Sequence, residues 1–396
     1  MSVGTLLVVA VGAVLAPLVA EIAPIAVPVV VLEVALGILG GPVLGIAEVD
    51  GVVSALAGLG LGFLFFLAGM EIDLARIDGE PLRRGAAGWV LSLAVAFAVA
   101  GGLTLAGVDL PVVFVAAALS TTAFGTLLPV LRDAGILPTA LGRSVMGAGV
   151  CGELLPIILM SILLTGAADR SLTALLVLAF AIVAGLCALA AFRVRPPWLA
   201  RLMERSMHSS SQLPVRACML LLVALAYLAE DLGLDVILGA FAAGMVVRLA
   251  TGGGSEVLES KLEAIGFGFL VPVFFIVSGL RFDLDGLTSD AAAAVLVPVF
   301  LCALLLVRGA PAVLYARVLG SRDRAALALL SSTTLPLIVA ITAIAVDGGH
   351  METDTAAALV GAGMLSVLVF PLLALSVRSK PRTAGVDLAT EVPLGA

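Results

Sequence analysis

The chain is a succession of apolar stretches, each about as long as a membrane is thick. A window of about 20 apolar residues, the length of an α-helix that crosses the hydrocarbon core, finds spans that start near residues 3, 25, 51, 86, 110, 138, 171, 215, 234, 264, 291, 324 and 355. The pattern predicts an all-α polytopic membrane protein with about 13 transmembrane helices. No basic residue precedes Arg76, so the apolar start is expected to be a first span and not a cleaved signal peptide.

Composition supports the same class of protein. Hydrophobic residues make up 62% of the 396 residues and charged residues 12%, and the mean hydropathy is +1.23, which is more apolar than a water-soluble core can bury. The four cysteines stand singly within apolar runs, without the companions of a disulfide frame or metal site. We therefore expect a membrane protein that is not an enzyme, holds no cofactor or resident metal, and binds no nucleic acid.

Basic residues fall almost entirely on one side of the predicted spans. Of the 21 Lys and Arg residues, all but Arg170, Arg281 and Arg308 lie in loops on the side of the C-terminal tail. Cytoplasmic loops carry the excess of positive charge in membrane proteins. We expect a multi-pass protein of the inner (plasma) membrane whose C-terminus is cytoplasmic and whose N-terminus is outside.

The two halves of the chain repeat. The segment "LFFLAGMEID" at 64–73 aligns with "FFIVSGLRFD" at 274–283, at an offset of 210, and the Ser-Thr-Thr of 120–122 aligns with that of 332–334, at an offset of 212. The matched spans lie seven crossings apart, and an odd number inverts the second copy relative to the membrane, as in secondary transporters. The predicted units are a first inverted repeat (1–167), a linker span with a cytoplasmic interfacial helix (168–214), a second inverted repeat (215–377) and a cytoplasmic tail (378–396). An irregular tether is the alternative for the polar part of the linker.

The Ser-Thr-Thr stretches predict two helices that are broken within the membrane. Hydroxyls can satisfy backbone groups freed where a helix unwinds, and the missing N–H of Pro336, with a weaker part for Pro129, interrupts the helix ladder. Broken helices expose helix ends and free carbonyls that bind ions. The paired positions favour an ion site over hydroxyls that merely join neighbouring helices. The candidate residues are Ser120, Thr121, Thr122, Thr333 and Thr334.

Three charged residues lie deep within predicted spans: Glu33, Glu153 and Arg308. A charge at the bilayer centre costs about 2.5 to 3.5 kcal/mol, so each needs a partner or a purpose. Glu153 is the strongest candidate for an ion- and proton-binding group, because Pro156 cannot donate to the carbonyl of Gly152 and leaves an acceptor oxygen beside the carboxylate. Monovalent cations prefer such oxygen ligands.

The other two charges have different expected roles. Arg308 keeps its charge and cannot bind a cation, so we expect it behind the site, where it balances the charge of an empty site or anchors the broken helices. A static ion pair between Glu153 and Arg308 is the alternative. Glu33 is either a second acid of the site or an interface residue near one end of its span.

Seven runs stand in this order along the chain: "PVVVLEVALGILGGPVLGI", "GLGFLFFLAGMEIDL", "ALSTTAFGTLLPVLRDAGIL", "GAGVCGELLPIIL", "GLDVILGAFAAGMVV", "FLVPVFFIVSGLRFDL" and "LLLVRGAPAVL". Together they resemble the monovalent cation/proton antiporter superfamily, most closely its Kef-like bacterial sodium or potassium/proton exchangers. In that family the sixth of thirteen spans carries an acid pair, or a neutral residue followed by an acid, and the second residue binds the ion and the proton. Gly152 and Glu153 occupy these places, with glycine at the first and Glu instead of the usual Asp at the second.

The resemblance also implies crossed discontinuous helices at the two Ser-Thr-Thr regions, a basic residue of the eleventh span at Arg308, and a homodimer. Some relatives continue into a nucleotide-binding domain, and because this chain ends about twenty residues after its last span, we expect no such regulation.

The predicted function is secondary active transport: the exchange of protons for Na⁺ or K⁺ by alternating access at one intramembrane carboxylate. Glu153 can hold a proton or a cation but not both, so a helix bundle that moves only when the acid is neutralised couples the two fluxes. One titratable carboxyl beside one fixed positive charge predicts electroneutral exchange. The alternatives are a proton-coupled exporter of an organic solute or ionophore, which needs a wider cavity, and a membrane sensor that transports nothing.

Overall fold

The structure is a computed structural model that describes residues 3–22, 27–71, 79–124, 127, 130–131, 134–164, 180, 182–183, 185–186, 206, 209–251, 256–289 and 291–378. Pro129, most of the span predicted near residue 171, the interfacial linker helix and the tail beyond residue 378 lie outside the described residues. The units 168–214 and 378–396 therefore stay predictions.

Helices account for all the regular secondary structure of the described residues. Their bounds are α1 (Val3–Ile22), α2 (Val29–Ile38), α3 (Gly51–Glu71), α4 (Gly79–Leu105), α5 (Val112–Leu119), α6 (Ala140–Leu164), α7 (Leu213–Asp231), α8 (Val236–Thr251), α9 (Glu256–Ile265), α10 (Val271–Leu280), α11 (Leu284–Ser289), α12 (Ala291–Gly309), α13 (Ser321–Ser331), α14 (Pro336–Asp347) and α15 (Thr353–Arg378). A π-helical turn extends α2 (Leu39–Val43) and another joins α9 to α10 (Gly266–Leu270), and a 3₁₀ turn follows α12 (Ala310–Tyr315).

Nine helical units in the described part of the chain are long and apolar enough to cross a membrane, and Val29–Val43 and Val236–Thr251 are shorter apolar helices. Three of the nine are composite, since Glu256–Leu280 contains a π-helical turn, Ala294–Tyr315 ends in the 3₁₀ turn after α12, and Ser321–Asp347 contains the break between α13 and α14. In the fifth predicted span, α5 ends at Leu119, immediately before the first Ser-Thr-Thr. The predicted class, an all-α polytopic membrane protein, is confirmed.

The helices form two groups that pack mainly within themselves. The paired-helix group contains α1, α2, α3, α7, α8, α9 and α10, and the broken-helix group contains α4, α5, α6, α12, α13, α14 and α15. Each group draws helices from both halves of the sequence. The groups touch mainly through α6 with α8 and α10 with α14, and α11 contacts α12 and α15 as well as the π-helical turn after α2. A seam runs between the two groups.

The inverted repeat is visible where backbones touch within the paired-helix group. A Cβ atom added at Gly69 of α3 would lie 2.2 Å from the carbonyl oxygen of Phe241 in α8, and one at Gly244 would lie 1.9 Å from that of Phe66. Glycine is therefore required on both sides of the α3–α8 crossing.

The α2–α10 crossing is built in the same way. A Cβ atom at Gly279 of α10 would lie 2.2 Å from the carbonyl oxygen of Val34, and one at Gly37 of α2 would lie 2.1 Å from that of Ile276. Gly279 follows Gly69 by the 210 residues of the sequence repeat. The two crossings thus pair α3 with α10, and α8 with α2, as equivalent helices, in agreement with the predicted repeat, and the bounds of the two repeat units stay predictions.

Candidate functional site

The two broken helices meet inside the bundle. The Thr121 and Thr334 hydroxyls are 2.7 Å apart, and the Ala123 N–H donates to the carbonyl of Thr333 at 2.9 Å. Ser120 and the four threonines predicted for the site are all buried. The structure therefore brings the two Ser-Thr-Thr breaks together, as crossed discontinuous helices.

The hydroxyls at the crossing mainly satisfy backbone groups. Four of the five donate to a carbonyl at 2.5 to 3.3 Å, which closes acceptors that an unwound helix leaves free, and the Thr334 hydroxyl pairs with that of Thr121. The pairs are Ser120 to Ala117, Thr121 to Ala118, Thr333 to Leu329 and, across the break, Thr122 to Ser331. These side chains hold the crossing and do not line the cavity described below.

Helix α6 contributes the backbone acceptor that the sequence predicted. The carbonyl of Gly152 accepts the N–H of Thr122 at 2.9 Å, and it is available because Pro156, inside α6, has no N–H to donate to it. The first break therefore docks on α6 beside the carboxylate. One lone pair of the Gly152 oxygen is used in this contact, and the second is left for another donor or a cation.

Glu153 lies next to both breaks. Its side chain is 8% exposed, and its Oε2 atom has no hydrogen-bond partner among the described residues. It lines a cavity of about 100 Å³, hereafter the acid cavity, together with Ala123 after the first break and Pro336 after the second. The cavity lies in the seam between the helix groups and is otherwise lined by Val30, Leu64, Phe65, Leu67, Ala68, Glu71, Phe267, Phe275 and Leu337.

Glu71, the last residue of α3, is a second acid of this cavity. Its Oε2 atom is buried and has no hydrogen-bond partner among the described residues. Glu71 was not predicted from the sequence, because it stands at the end of a span, where a charged residue is ordinary. The one available signal was its place inside the repeated segment at 64–73, opposite an Arg in the second copy.

Arg308 is buried behind the crossing, with 3% of its surface exposed. Its Nε atom donates to the Thr122 hydroxyl at 2.9 Å and to the Ser331 carbonyl at 3.4 Å. Nη1 donates to the Ser92 hydroxyl and Nη2 to the Ala148 carbonyl, both at 3.1 Å. Among the ion pairs of the described residues none joins Arg308 to Glu153, so the geometry fits an anchor of the broken helices and not a static ion pair.

Gly152 makes room for this guanidinium. A Cβ atom at position 152 would lie 2.5 Å from Nη2 of Arg308 and 2.8 Å from the hydroxyl oxygen of Thr122. The neutral residue before Glu153 is therefore tied to the way Arg308 packs against α6. The glycine that departs from the family pattern has a packing reason.

Glu33 is buried in α2, with 4% of its surface exposed. This burial favours a place inside the helix bundle over one at the membrane interface. Glu33 does not line the acid cavity, although Val30, one turn earlier in α2, does. Its role, as a second acid or as a structural residue, stays a prediction.

Ser366 of α15 supports the second break and was not predicted. It accepts the N–H of Thr334 at 3.1 Å and lies within donor distance of the carbonyls of Thr334 (2.8 Å) and Gly363 (2.7 Å). It is one of several serines in apolar helices, and only the folded structure distinguishes it from the others.

A wider funnel, of about 290 Å³, opens in the seam at the other end of α3. At the rim of this funnel, Arg281 donates to the Ser54 hydroxyl at 2.6 Å and forms an ion pair with Asp347 at 3.8 Å. The funnel and the acid cavity have no lining residue in common, although the adjacent residues Phe274 and Phe275 line one each. They are therefore two separate cavities.

Crossed broken helices, an inverted repeat and an unpartnered acid in a seam between two helix groups together define a secondary transporter. The family described as "Sodium/hydrogen exchanger, transmembrane" matches residues 9–375. The chain belongs to this family, which is one of transporters and not of enzymes. The predicted resemblance to monovalent cation/proton antiporters is confirmed.

Named relatives agree with this class. The chain is 28% identical over 394 residues to YjbQ of Bacillus subtilis, named as a putative Na(+)/H(+) antiporter, covering 94% of this chain and 62% of YjbQ. It is 29% identical over 272 residues to the Na(+)/H(+)-K(+) antiporter GerN of Bacillus cereus, covering 66% of this chain and 67% of GerN. The chain thus spans less than two thirds of the length of YjbQ.

The fold matches a solved structure over most of its length. The sodium proton antiporter MjNhaP1 of Methanocaldococcus jannaschii superimposes with a TM-score of 0.65 at 16% identity, covering 93% of this chain and 97% of MjNhaP1. At this identity the match supports the fold alone.

Proposed function

We propose that the protein exchanges protons for a monovalent cation, Na⁺ or K⁺, across the inner membrane by alternating access at Glu153. One observation carries the proposal: a buried carboxyl with an unpartnered oxygen lines a cavity between two helix groups, beside the crossing of two broken helices. The activity is that of a transporter and not of an enzyme.

Competition at Glu153 couples the two fluxes. A bare carboxylate in an apolar cavity is costly, so the stable forms are the protonated acid and the cation-bound carboxylate. In this proposal the free lone pair of the Gly152 carbonyl, the residue before Glu153, and water supply further oxygen ligands. Ser120, Thr121, Thr122, Thr333 and Thr334 keep the crossing in place around the site.

Movement of the broken-helix group past the paired-helix group exposes Glu153 first to one side and then to the other. All four hydrogen-bond partners of Arg308 lie in the broken-helix group. Arg308 therefore travels with Glu153, and its fixed charge balances the carboxylate when the site is empty. With Glu153 as the one acid that moves together with the permanent charge of Arg308, exchange of one proton for one cation moves no net charge.

Orientation follows from the basic loops. The C-terminal end of α3 precedes Arg76, Arg83 and Arg84, which the excess of cytoplasmic positive charge assigns to the cytoplasm. On this orientation the acid cavity opens inward, the funnel at Arg281 opens outward and the C-terminus is cytoplasmic. A homodimer in the lipid bilayer is part of the proposal and rests on the family resemblance alone.

The size of the acid cavity favours a small cation over an organic solute. Pockets for organic ligands of drug size measure about 300–1,000 Å³, whereas the acid cavity measures about 100 Å³. A proton-coupled exporter of an organic solute would need a much wider site at Glu153.

The decisive experiment is a proton-flux assay in vesicles that hold the purified protein, with sodium, potassium and lithium added in turn. Glu153→Gln keeps the shape but not the charge, and we expect at least a hundredfold loss of cation-driven proton flux. Glu230→Gln removes an exposed acid of α7 and is the matched control, with flux near wild type. Undiminished flux in Glu153→Gln would refute the proposal, and the ion that gives the largest flux identifies the substrate.

An imposed membrane voltage tests the stoichiometry in the same vesicles. One-for-one exchange predicts a rate that voltage does not change. Acceleration by voltage would show that a further charge moves in each cycle, and Glu71→Gln, at the second acid of the cavity, and Glu33→Gln would then be the next variants to measure.

A further inference from the structure

The acid cavity contains a carboxylate that the proposed mechanism does not use. Glu71 shares the cavity with Glu153, and each has a buried oxygen without a hydrogen-bond partner among the described residues. Glu153 is more than nine-tenths buried, and the rest of the lining is apolar. The cavity therefore offers two carboxyl groups, each with an unpartnered oxygen, to whatever enters it, and a cation is the ligand that suits both.

The two acids belong to different helix groups. Glu71 ends α3 of the paired-helix group, and Glu153 lies in α6 of the broken-helix group. A relative movement of the groups, which the proposed function requires, changes the distance between the two carboxylates. The Glu71 carboxylate can therefore attract a cation at Glu153 only in the conformation in which both residues line the acid cavity.

The repeated scaffold does not require an acid at position 71. The equivalent position of the second copy, 210 residues later, is Arg281, which joins Ser54 and Asp347 at the rim of the opposite funnel. Arg281 thus makes a hydrogen bond and an ion pair, whereas the buried Oε2 atom of Glu71 has no hydrogen-bond partner among the described residues. The two copies therefore use this position differently.

We propose, resting on the proposed function, that Glu71 is a cation-capture residue that strengthens cation binding to Glu153 from one side of the membrane only. A cleft lined by one sign of charge raises the local concentration of the opposite ion, and a second carboxylate stabilises a cation already bound at the first. Once the groups have moved, Glu153 faces the opposite side without Glu71, and the cation binds more weakly there. The device makes binding on the α3 C-terminal side tighter than on the other.

The test measures the cation KM from each side in vesicles of defined orientation, with Na⁺ and K⁺ as probes. For Glu71→Gln we expect a rise in KM of roughly tenfold on the side to which the C-terminal end of α3 faces, and a change of less than about twofold on the opposite side. The maximal rate should stay close to wild type, and Glu71→Asp, which keeps the charge, should recover most of the affinity.

Glu263→Gln is the matched control for diffuse surface charge. Glu263 is an exposed residue of α9 whose charge acts on Glu71, but it does not line the acid cavity. We expect it to change KM by less than about twofold. An equal effect of Glu71→Gln and Glu263→Gln, or an equal effect of Glu71→Gln on both sides, would overturn the proposal.

Binding without transport gives a second measurement. In Glu153→Gln protein, a shift of the melting temperature with Na⁺ or K⁺ that disappears on adding Glu71→Gln would show cation binding at Glu71 itself. Absence of any such shift, together with an unchanged KM in the single Glu71→Gln variant, would reject the inference. The two proposals can fail separately. If Glu153→Gln loses cation-driven proton flux while Glu71→Gln keeps the wild-type cation KM on both sides, this inference is rejected and the proposed function stands.

Discussion

The two copies of the repeat are alike where helices cross and unlike where helices break. At the crossings, glycines at equivalent positions let backbones touch in both copies. At the breaks, the N–H of Thr122 is accepted by a backbone carbonyl of α6, whereas the equivalent N–H of Thr334 is accepted by the Ser366 hydroxyl of α15. The scaffold is symmetric and its chemistry is not.

The two copies differ in the residue that follows the hydrogen-bond acceptor at each break: it is charged in the first copy and apolar in the second. In the first copy the acceptor Gly152 is followed by Glu153, and in the second the acceptor Ser366 is followed by the buried Val367. A serine closes the second break with local hydrogen bonds alone. In the first copy the acceptor is a carbonyl freed by Pro156, and the Glu153 side chain beside it keeps an unpartnered oxygen. Under the proposed function, the first copy thus provides the ion site and the second its counterpart.

The largest expected effect tests the symmetric part of this comparison. Gly69→Ala and Gly279→Ala each place a Cβ atom 2.2 Å from a backbone carbonyl oxygen, which cannot rotate away as a side chain can. We expect each to destabilise the protein by at least about 3 kcal/mol, measured as melting temperature in detergent. A large effect in one and none in the other would contradict the equivalence of the two crossings.

Gly62→Ala is the control for helix propensity. Gly62 lies in α3, and a Cβ atom added there would have no atom within 4 Å. Alanine at this position should therefore be neutral or stabilise the protein by up to about 1 kcal/mol.

Ser366→Ala gives a smaller effect and tests the asymmetric part. It removes the acceptor of the buried Thr334 N–H, and an unsatisfied buried group costs about 1 to 3 kcal/mol. We expect a lower melting temperature, while the vesicle assay shows an unchanged dependence on cation concentration, because Ser366 does not line the acid cavity. A rise in the cation KM would mean that the second break also shapes the ion site.

Pro156→Ala makes the matched change in the first copy. It restores an N–H that competes with Thr122 for the Gly152 carbonyl. We expect it to alter the cation KM more than the melting temperature, the reverse of Ser366→Ala. If both variants change the same quantity, the division of labour between the copies is wrong.

Sequence alone predicted the elements that depend on local chemistry. The helix class, the two breaks and the freed carbonyl at Gly152 follow from apolar length, hydroxyl clusters and a proline, all of which are readable from a few neighbouring residues. The candidate acid Glu153 was found because a charge within an apolar span is costly wherever it stands.

Contacts between distant helices were beyond such reasoning. Ser92 and Ser366 are ordinary serines until the fold places them against Arg308 and Thr334. Glu71 looked like a residue at a span end, and only the seam between the two groups joins it to Glu153. The sequence likewise showed that Gly152 departs from the family pattern. The structure adds the packing reason, because the Arg308 guanidinium occupies the space that a larger side chain at position 152 would need.

The smallest expected effect concerns how equivalent helices begin. Helix α2 starts after Pro28 without a side-chain cap, whereas before α8, at the equivalent position 207 residues later, Asp235 accepts the N–H of Ile237 at 2.8 Å. Burial raises the pKa of Asp235, and the hydrogen bond from Ile237 opposes that rise without cancelling it. Loss of the cap in Asp235→Ala should cost about 1 kcal/mol.

Asp235→Asn separates the cap from the charge, because the amide oxygen can still accept the hydrogen bond. A carboxyl whose pKa is raised on folding stabilises the protein in its protonated form, and this contribution is lost as pH rises through the raised value. Wild type and Asp235→Asn should therefore be equally stable below the ordinary Asp value of 3.8, and wild type should fall behind as pH increases. Melting temperatures of both proteins across that range measure the difference. If the difference in melting temperature between wild type and Asp235→Asn stays constant with pH, the buried charge of Asp235 does not affect stability. The cap alone would then distinguish the start of α8 from that of α2.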